Sequence, residues 1–347
     1  MEKDLKSKTL TELEQIVTAS GGQKYLAKYI FSFIHSKNAV DINAITPLSL
    51  IFRKKLTDEG YYISELKISR KLIDAVDGTI KYLFELCDGL AIESVLLFDD
   101  DRTTLCASTQ VGCAIACQFC ATGAIGFTRN LSAAEIVDQV NTAEKDGKAV
   151  SNVVFMGMGE PLLNYVNVLK AVKILNDKNG KRIGIRRLTI SSCGITEGIT
   201  KLAGEKIRPR LAVSLNAAND DLRRKLMPIA KKYPLPKLLD CLKRYQYSTG
   251  RRFTFEYVLI DGVNDSDTDA KALAGIAKKF FCNVNLIEFN PHPGCLFKPS
   301  SRRRIGSFSK ILTGAGAKNV IRLKKGSSIK AACGQLGSDL PEMTKNQ

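Results

Sequence analysis

Residues 103–123 read TTLCASTQVGCAIACQFCATG: a short strand-like run, then three thiols, Cys113, Cys117 and Cys120, spaced C-x3-C-x2-C. A tetrahedral zinc takes four ligands, and so does a plain electron-transfer cluster. No fourth Cys or His follows at ligand spacing; the next cysteine downstream is Cys193. Three thiolates on a cubane leave one iron without a protein ligand. A small molecule bearing an amine and a carboxylate can chelate that open corner, much as catalytic zinc keeps a position free. A zinc site would need a distant fourth thiol, Cys106 or Cys193, and has no use for this particular spacing. Three buried structural thiols crowded this tightly are a weaker reading still.

Outward from this run the chain alternates strand and helix. NVVFMG, RRLTISS, RLAVSLN, FTFEYVLI and NVNLIEF are further strand-like runs, and helical patterns lie near 132–146, 165–177, 196–205, 219–246 and 266–281, with another near 301–315. Ser132 with Glu135 three residues on forms a capping box, and Ile136, Val137 and Val140 follow on one face. Six βα units predict an α/β fold, a partial TIM-type (β/α)6 barrel. The alternative, a doubly wound open sheet, is disfavoured because no GxGxxG follows the first strand.

Before the barrel, Leu10, Leu13, Ile16 and Val17, then Leu26, Ile30, Phe33 and Ile34, keep a helical period that Pro47 breaks. Residues 67–98 alternate around Asp77-Gly78 and Asp88-Gly89, which mark turns between short strands. The predicted organisation is a helical accessory domain (1–66), a β-ribbon linker (67–98), a core (99–340) and a short tail (341–347).

With 347 residues and 44% hydrophobic composition, the chain can bury one large core or a core plus a small accessory domain. The opening MEKDLKSKTL has no apolar signal region and no stretch approaches a membrane span, so a soluble cytoplasmic protein is expected. In that compartment ten cysteines point to metal or redox chemistry, not to a disulfide framework. A formal charge of +17 is spread through clusters such as Lys181-Arg182, Arg186-Arg187, Arg223-Arg224-Lys225, Lys231-Lys232 and Arg302-Arg303-Arg304. Their sum favours a polyanionic partner, RNA or DNA. Charge alone does not choose between them.

Polar residues close the strands. Gly157-Met-Gly159-Glu160-Pro161 ends the second, Ser191 the third, Ser214-Leu215-Asn216 the fourth and Asn290 the sixth. Active sites of such barrels gather at this face, and glycine there lets backbone approach a ligand. Near the C-terminus, Cys333 lies among Ala331, Ala332 and Gly334 after the loop signal Gly326-Ser-Ser. An uncrowded, mobile thiol suits a nucleophile with more than one partner; the bland alternative is a small buried hydrophobe.

C-x3-C-x2-C after the first strand of a βα barrel resembles the radical S-adenosylmethionine (SAM) enzymes. DDRTTLCASTQVGCAIACQFCATG, GMGEPLLN, VNLIEFNPHPG and AACGQL, with GQKYLAKYIFSFIH near the N-terminus, resemble more closely the RlmN family of radical SAM methyltransferases, over nearly the whole chain. The resemblance implies one [4Fe-4S] cluster on Cys113, Cys117 and Cys120. It implies SAM bound by Gly159, Glu160, Ser191, Ser214, Leu215, Asn216 and Asn290, and methylation of adenine C2 in 23S rRNA and in tRNA.

In that family a first SAM methylates the C-terminal cysteine, here Cys333. A 5′-deoxyadenosyl radical from a second SAM removes a hydrogen from the S-methyl group, and the methylene adds to C2. Cys106 then resolves the adduct through a transient disulfide with Cys333. Glu93, in Ala91-Ile-Glu-Ser94, matches the proton acceptor; read alone it is an ordinary solvated carboxylate on a strand. Further implications are an electron donor such as flavodoxin or ferredoxin, and a monomer.

Two departures stand out: Asn216 where the family often has His, and Cys193 where a second hydroxyl is common. His35 and His292 need no functional role, and Cys87, Cys193, Cys241, Cys282 and Cys295 read as packing or surface thiols. The competing readings are an adenine C8 methyltransferase like Cfr, a radical SAM enzyme acting on protein or small molecules, and a non-enzymatic iron–sulfur or zinc RNA-binding module.

Overall fold

The computed structural model describes residues 3–340; the predicted tail at 341–347 lies outside the described residues. Helices α1 (Leu10–Ala19), α2 (Leu26–His35) and α3 (Leu50–Asp58) open the chain, α1 from a Thr9/Glu12 capping box. The strands β1 (Lys67–Ile73), β2 (Ile80–Glu85) and β3 (Ala91–Asp99) form the expected antiparallel ribbon. Strand and helix then alternate: β4 (Arg102–Cys106), β5 (Gln110–Gly112), α4 (Ala121–Ala124), β6 (Phe127–Asn130), α5 (Ala133–Lys145), β7 (Asn152–Phe155), α6 (Tyr165–Asn176), β8 (Leu188–Ser192) and α7 (Thr196–Gly204). They continue as β9 (Arg210–Ser214), α8 (Asp220–Leu226), α9 (Leu235–Thr249), β10 (Phe253–Leu259), α10 (Asp267–Ala277), β11 (Cys282–Glu288), α11 (Arg302–Gly314) and β12 (Asn319–Arg322).

One ten-stranded sheet runs β1-β2-β3-β4-β7-β8-β9-β10-β11-β12, and β5 pairs with β6 beside it. From β4 onward every pairing in the large sheet is parallel. Phe155, Ser191, Ser214, Glu256 and Ile287, from five successive parallel strands, line one cavity, so the sheet curls around it. Because β1 and β12 end the sheet without meeting, the barrel is partial, as predicted.

Three features differ from the sequence reading. The ribbon is no separate linker: a tight turn pairs Asp99 with Arg102, Val95 stands opposite Cys106, and the ladder continues into the barrel. β4 gives one edge to β7 and the other to β3. A further parallel strand, β12, follows α11; its NVIR is short and mostly exposed, with no apolar alternation to betray it. The helical pattern at 219–246 is split into α8 and α9 by the segment from Pro228 to Pro234, since proline cannot continue a helix hydrogen-bond ladder.

The N-terminal helices bury Leu13, Val17, Ile30, Phe31, Ile34 and Leu56 in the same core as the strands. Lys6 Nζ pairs with Asp138 Oδ1 on α5 at 2.6 Å, and Asp138 Oδ2 accepts the Leu66 N–H at 2.7 Å, a buried tie between the two parts. Among the described residues no helix is long and apolar enough to cross a membrane.

Candidate active site

The cysteine loop is held between β5 and β6. Gly112 has φ +74°, and a Cβ there would run into the Gly126 carbonyl oxygen, the same oxygen that accepts the Cys113 N–H at 2.6 Å. Cys113, Cys117 and Cys120 all line the cavity that the strands enclose. Burial pushes the Cys113 thiol up, and burial with the neighbouring Cys117 pushes Cys120 up to about 11, so both stay protonated until a metal draws the proton away. Among the described residues no three Cys, His, Asp or Glu side chains stand at the distances of a single-ion site. A cubane spreads its irons and takes its ligands further apart.

The strand ends supply the rest of the wall. Gly159 has φ +98° and its Cβ would stand 2.5 Å from the Gln110 Cβ, so only glycine fits. Glu160 is buried; its Oε2 accepts the Cys193 N–H at 2.7 Å and its Oε1 the Leu162 N–H at 3.1 Å, while desolvation holds its carboxyl above the usual range. Ser191 and Ser214 stand half-buried on the wall. Asn290 is not on the wall but one residue past the wall residue Phe289; it donates from Nδ2 to the Cys333 carbonyl at 3.1 Å, yet its buried Oδ1 has no partner among the described residues. A buried acceptor is left bare where something else will donate to it. With three thiols, two hydroxyls and a carboxylate around one cavity, these groups fit a cluster with an amine- and carboxylate-bearing ligand beside it.

Two predicted contacts look different in place. Leu215 is fully buried in the core and off the cavity wall, its N–H given to the Glu256 carbonyl at 2.9 Å. Asn216 lies on the wall, but at φ +57° its Oδ1 accepts the Val258 N–H at 2.9 Å and its Nδ2 points at Met227 Sδ at 3.3 Å. Most of its amide is therefore committed to the protein.

Cys333 and Gly334 complete the wall. The expected mobile loop is tied down instead. Gly334 O accepts the Ala121 N–H at 2.7 Å, Leu336 O the Thr122 hydroxyl at 2.6 Å, and Pro291 O the Gln335 amide at 2.7 Å. Gly326 and Ser328 donate to Asp77 and Asp74 on the ribbon turn. Cys333 is exposed toward cavity space while protein surrounds it, and this desolvation raises its pKa. Cys106, at the end of β4, is buried behind the wall; burial, then the nearby Cys333, raises its pKa. Both are free thiols.

Glu93 is not solvated. It is 1% exposed, with Lys81 Nζ at 3.1 Å and the Gly337 N–H at 2.7 Å, and Lys81 also reaches Asp339 at 2.7 Å. Burial raises its pKa against the pull of Lys81.

Some wall residues escaped the sequence reading. Cys193, expected to be packing, lies on the wall with Cys117, and that neighbour together with burial raises its pKa. Glu256 of β10 is on the wall too, held by Asn285 Nδ2 at 3.0 Å; a lone acid inside the apolar run FTFEYVLI was the available signal. Arg223, counted among the basic clusters, is fully buried and donates to the Cys193 carbonyl at 2.6 Å and the Tyr233 carbonyl at 3.0 Å. Arg186-Arg187, Lys231-Lys232 and Arg302-Arg303 are exposed.

The radical SAM superfamily matches residues 107–273. A dual-specificity RNA methyltransferase RlmN of Geotalea uraniireducens is 45% identical over 347 residues, covering all of both chains. A Thermotoga neapolitana protein assigned to the same activity is 48% identical over 335 residues, 96% of this chain and 97% of that one. A solved radical SAM methyltransferase from Sphaerobacter thermophilus superposes with a TM-score of 0.92 at 45% identity, covering 97% of this chain and 100% of that one. Near-full-length identity of this order, on a barrel that brings Cys113, Cys117 and Cys120 to one cavity, places the chain in the RlmN family of radical SAM dual-specificity RNA methyltransferases.

Proposed function

We propose that this enzyme methylates C2 of adenine in 23S rRNA and in tRNA, with Cys333 as methyl carrier, two SAM consumed per methyl, and a transient Cys106–Cys333 disulfide. The observation that carries the reading is the placement of Cys333 on the same cavity wall as the three cysteines of the C-x3-C-x2-C loop, with Cys106 close behind it. When bound, cluster and SAM supply one-electron cleavage of a carbon–sulfur bond and a radical able to take hydrogen from a methyl group.

The chain's own residues account for the rest. Adenine C2 is electron-poor and resists polar methylation, so the methyl is first parked on sulfur. Cys333 takes it by displacement, held in place through its carbonyl by Asn290. After hydrogen removal the Cys333-borne carbon would bond to C2, Glu93 would take the C2 hydrogen as a proton, and the remaining electron would return to the bound cluster. Cys106 would then attack Cys333 sulfur, breaking its bond to carbon, and that carbon would take up the Cys106 thiol proton as the methylated base leaves. Gly159 and Glu160 hold the SAM amine end, with Ser191, Ser214 and Asn290 beside it. A cytoplasmic, monomeric enzyme reduced by flavodoxin or ferredoxin fits this reading.

Anaerobic incubation of reconstituted enzyme with unmodified rRNA fragments or tRNA and methyl-labelled SAM, followed by nucleoside analysis, tests it. Label in 2-methyladenosine is expected. Label in 8-methyladenosine overturns the assignment of the carbon, and 5′-deoxyadenosine without labelled RNA overturns the substrate.

A further inference from the structure

We infer that Glu256 is the proton acceptor for the Cys333 thiol when that sulfur is alkylated. The inference rests on the reading of Cys333 as methyl carrier and adds a residue that reading lacks. A neutral thiol is a poor nucleophile; the thiolate is the reactive form. Cys333 lies where burial works against the thiolate. Among the described residues the wall offers no lysine, histidine or arginine: its ionisable groups there are Cys113, Cys117, Cys120, Cys193, Glu160, Glu256 and Cys333 itself. Without a base the first methyl transfer would wait on a rare ionisation.

Elimination and geometry agree on Glu256. Both Glu160 oxygens accept backbone N–H groups, and Glu93 is off the wall and ion-paired with Lys81. Glu256 is paired in register with Ser214 of β9 and Asn285 of β11, so it projects into the barrel at the level of Ser214. Asn285 fixes Oε1 at 3.0 Å, while Oε2 accepts no hydrogen bond among the described residues. Its charge acts on the Cys333 thiol, and Arg322 of β12 acts on both groups in the opposite sense. Desolvation brings Glu256 to about 7, where a carboxylate both exists at neutral pH and holds a proton once given one.

In the step, a bond forms between Cys333 Sγ and the methyl carbon while the methyl–sulfonium bond breaks. The thioether leaves with the electron pair, and the thiol proton passes to Glu256 Oε2. A neutral acid and a neutral thioether then face each other, which suits a desolvated wall.

The test alkylates anaerobic holoenzyme with iodoacetamide and follows carboxamidomethylation of Cys333 by peptide mass, over roughly pH 6 to 9, in wild type, Glu256→Gln and Glu256→Asp. Wild type is expected to level off as Glu256 ionises near pH 7. Glu256→Gln should be about 10²-fold slower at neutral pH and keep rising with pH, with Glu256→Asp in between. If Glu256 is only a neighbouring negative charge, Glu256→Gln alkylates faster than wild type, and the inference is wrong. A parallel incubation with SAM reads methyl mass on Cys333. Its absence from wild type removes the methyl-carrier reading; its presence at the wild-type rate in Glu256→Gln, with or without weakened SAM binding, removes only the role of Glu256.

Discussion

Glu93 accepts the Gly337 N–H at 2.7 Å, tying a carboxylate on β3 to the loop four residues beyond Cys333. The same carboxylate pairs with Lys81, which in turn holds Asp339, so the proposed proton acceptor and the proposed carrier loop are parts of one network. Glu93→Gln keeps the shape and removes the base. RNA covalently attached to Cys333 should accumulate on denaturing gels, with turnover lowered about 10²-fold or more. Glu93→Ala should also cost about 3 kcal/mol in urea unfolding, because Lys81 loses a buried partner. Free methylated RNA at the wild-type rate from Glu93→Gln would remove Glu93 from the mechanism.

Cys106→Ala should trap the nucleotide on Cys333, since it removes the thiol proposed to break that sulfur–carbon bond. Mass spectrometry of the digested adduct should place the RNA on Cys333. Its small side chain replaces a buried thiol opposite Val95, so the fold should survive with a loss of about 1 kcal/mol.

Removing Cys113, Cys117 or Cys120 one at a time to alanine should abolish bound iron and the visible absorbance of reconstituted protein. Cys193→Ala should retain both. Cys193 shares the wall with Cys117, so loss of iron in that variant would mean a fourth thiolate ligand and a closed corner, incompatible with SAM chelation.

His35 is fully buried, neither ring nitrogen has a partner among the described residues, and desolvation lowers its pKa to about 3. A depressed base costs stability on acidification: below about pH 6.5 the unfolded chain binds a proton that the native state refuses, and this continues to about pH 3. From pH 6.5 to pH 5 this group alone should remove about 2 kcal/mol. His35→Phe, beside Phe31, should lose that increment in urea unfolding at the two pH values. Equal acid sensitivity in both proteins would show that His35 is protonated in the native state.

The barrel was legible because its strands are apolar and end in polar residues, and because a three-thiol spacing without a fourth partner has few uses. The predicted start of α5 at Ser132 is met by the hydrogen bonds of a capping box, a purely local device. What was hidden depends on three dimensions. β12 is too short and exposed to show a period, and it forms because β11 offers a free parallel edge. Glu93 reads as a surface acid until Lys81 from the neighbouring strand and Gly337, far away in sequence, close over it. Cys193 and Arg223 read as packing and surface charge, yet the curl of the sheet turns the first onto the wall and the second in behind it. The mobility expected of the Cys333 loop came from its small residues, whereas its anchors belong to the partners that receive it.

Those anchors join residues 249, 254 and 244 positions apart: Gly326 to Asp77, Ser328 to Asp74, Gly337 to Glu93. The proposed carrier sulfur is therefore seated only once the ribbon and the loop around residues 326–337 have met, which couples completion of the thiol site to closure of the tertiary fold.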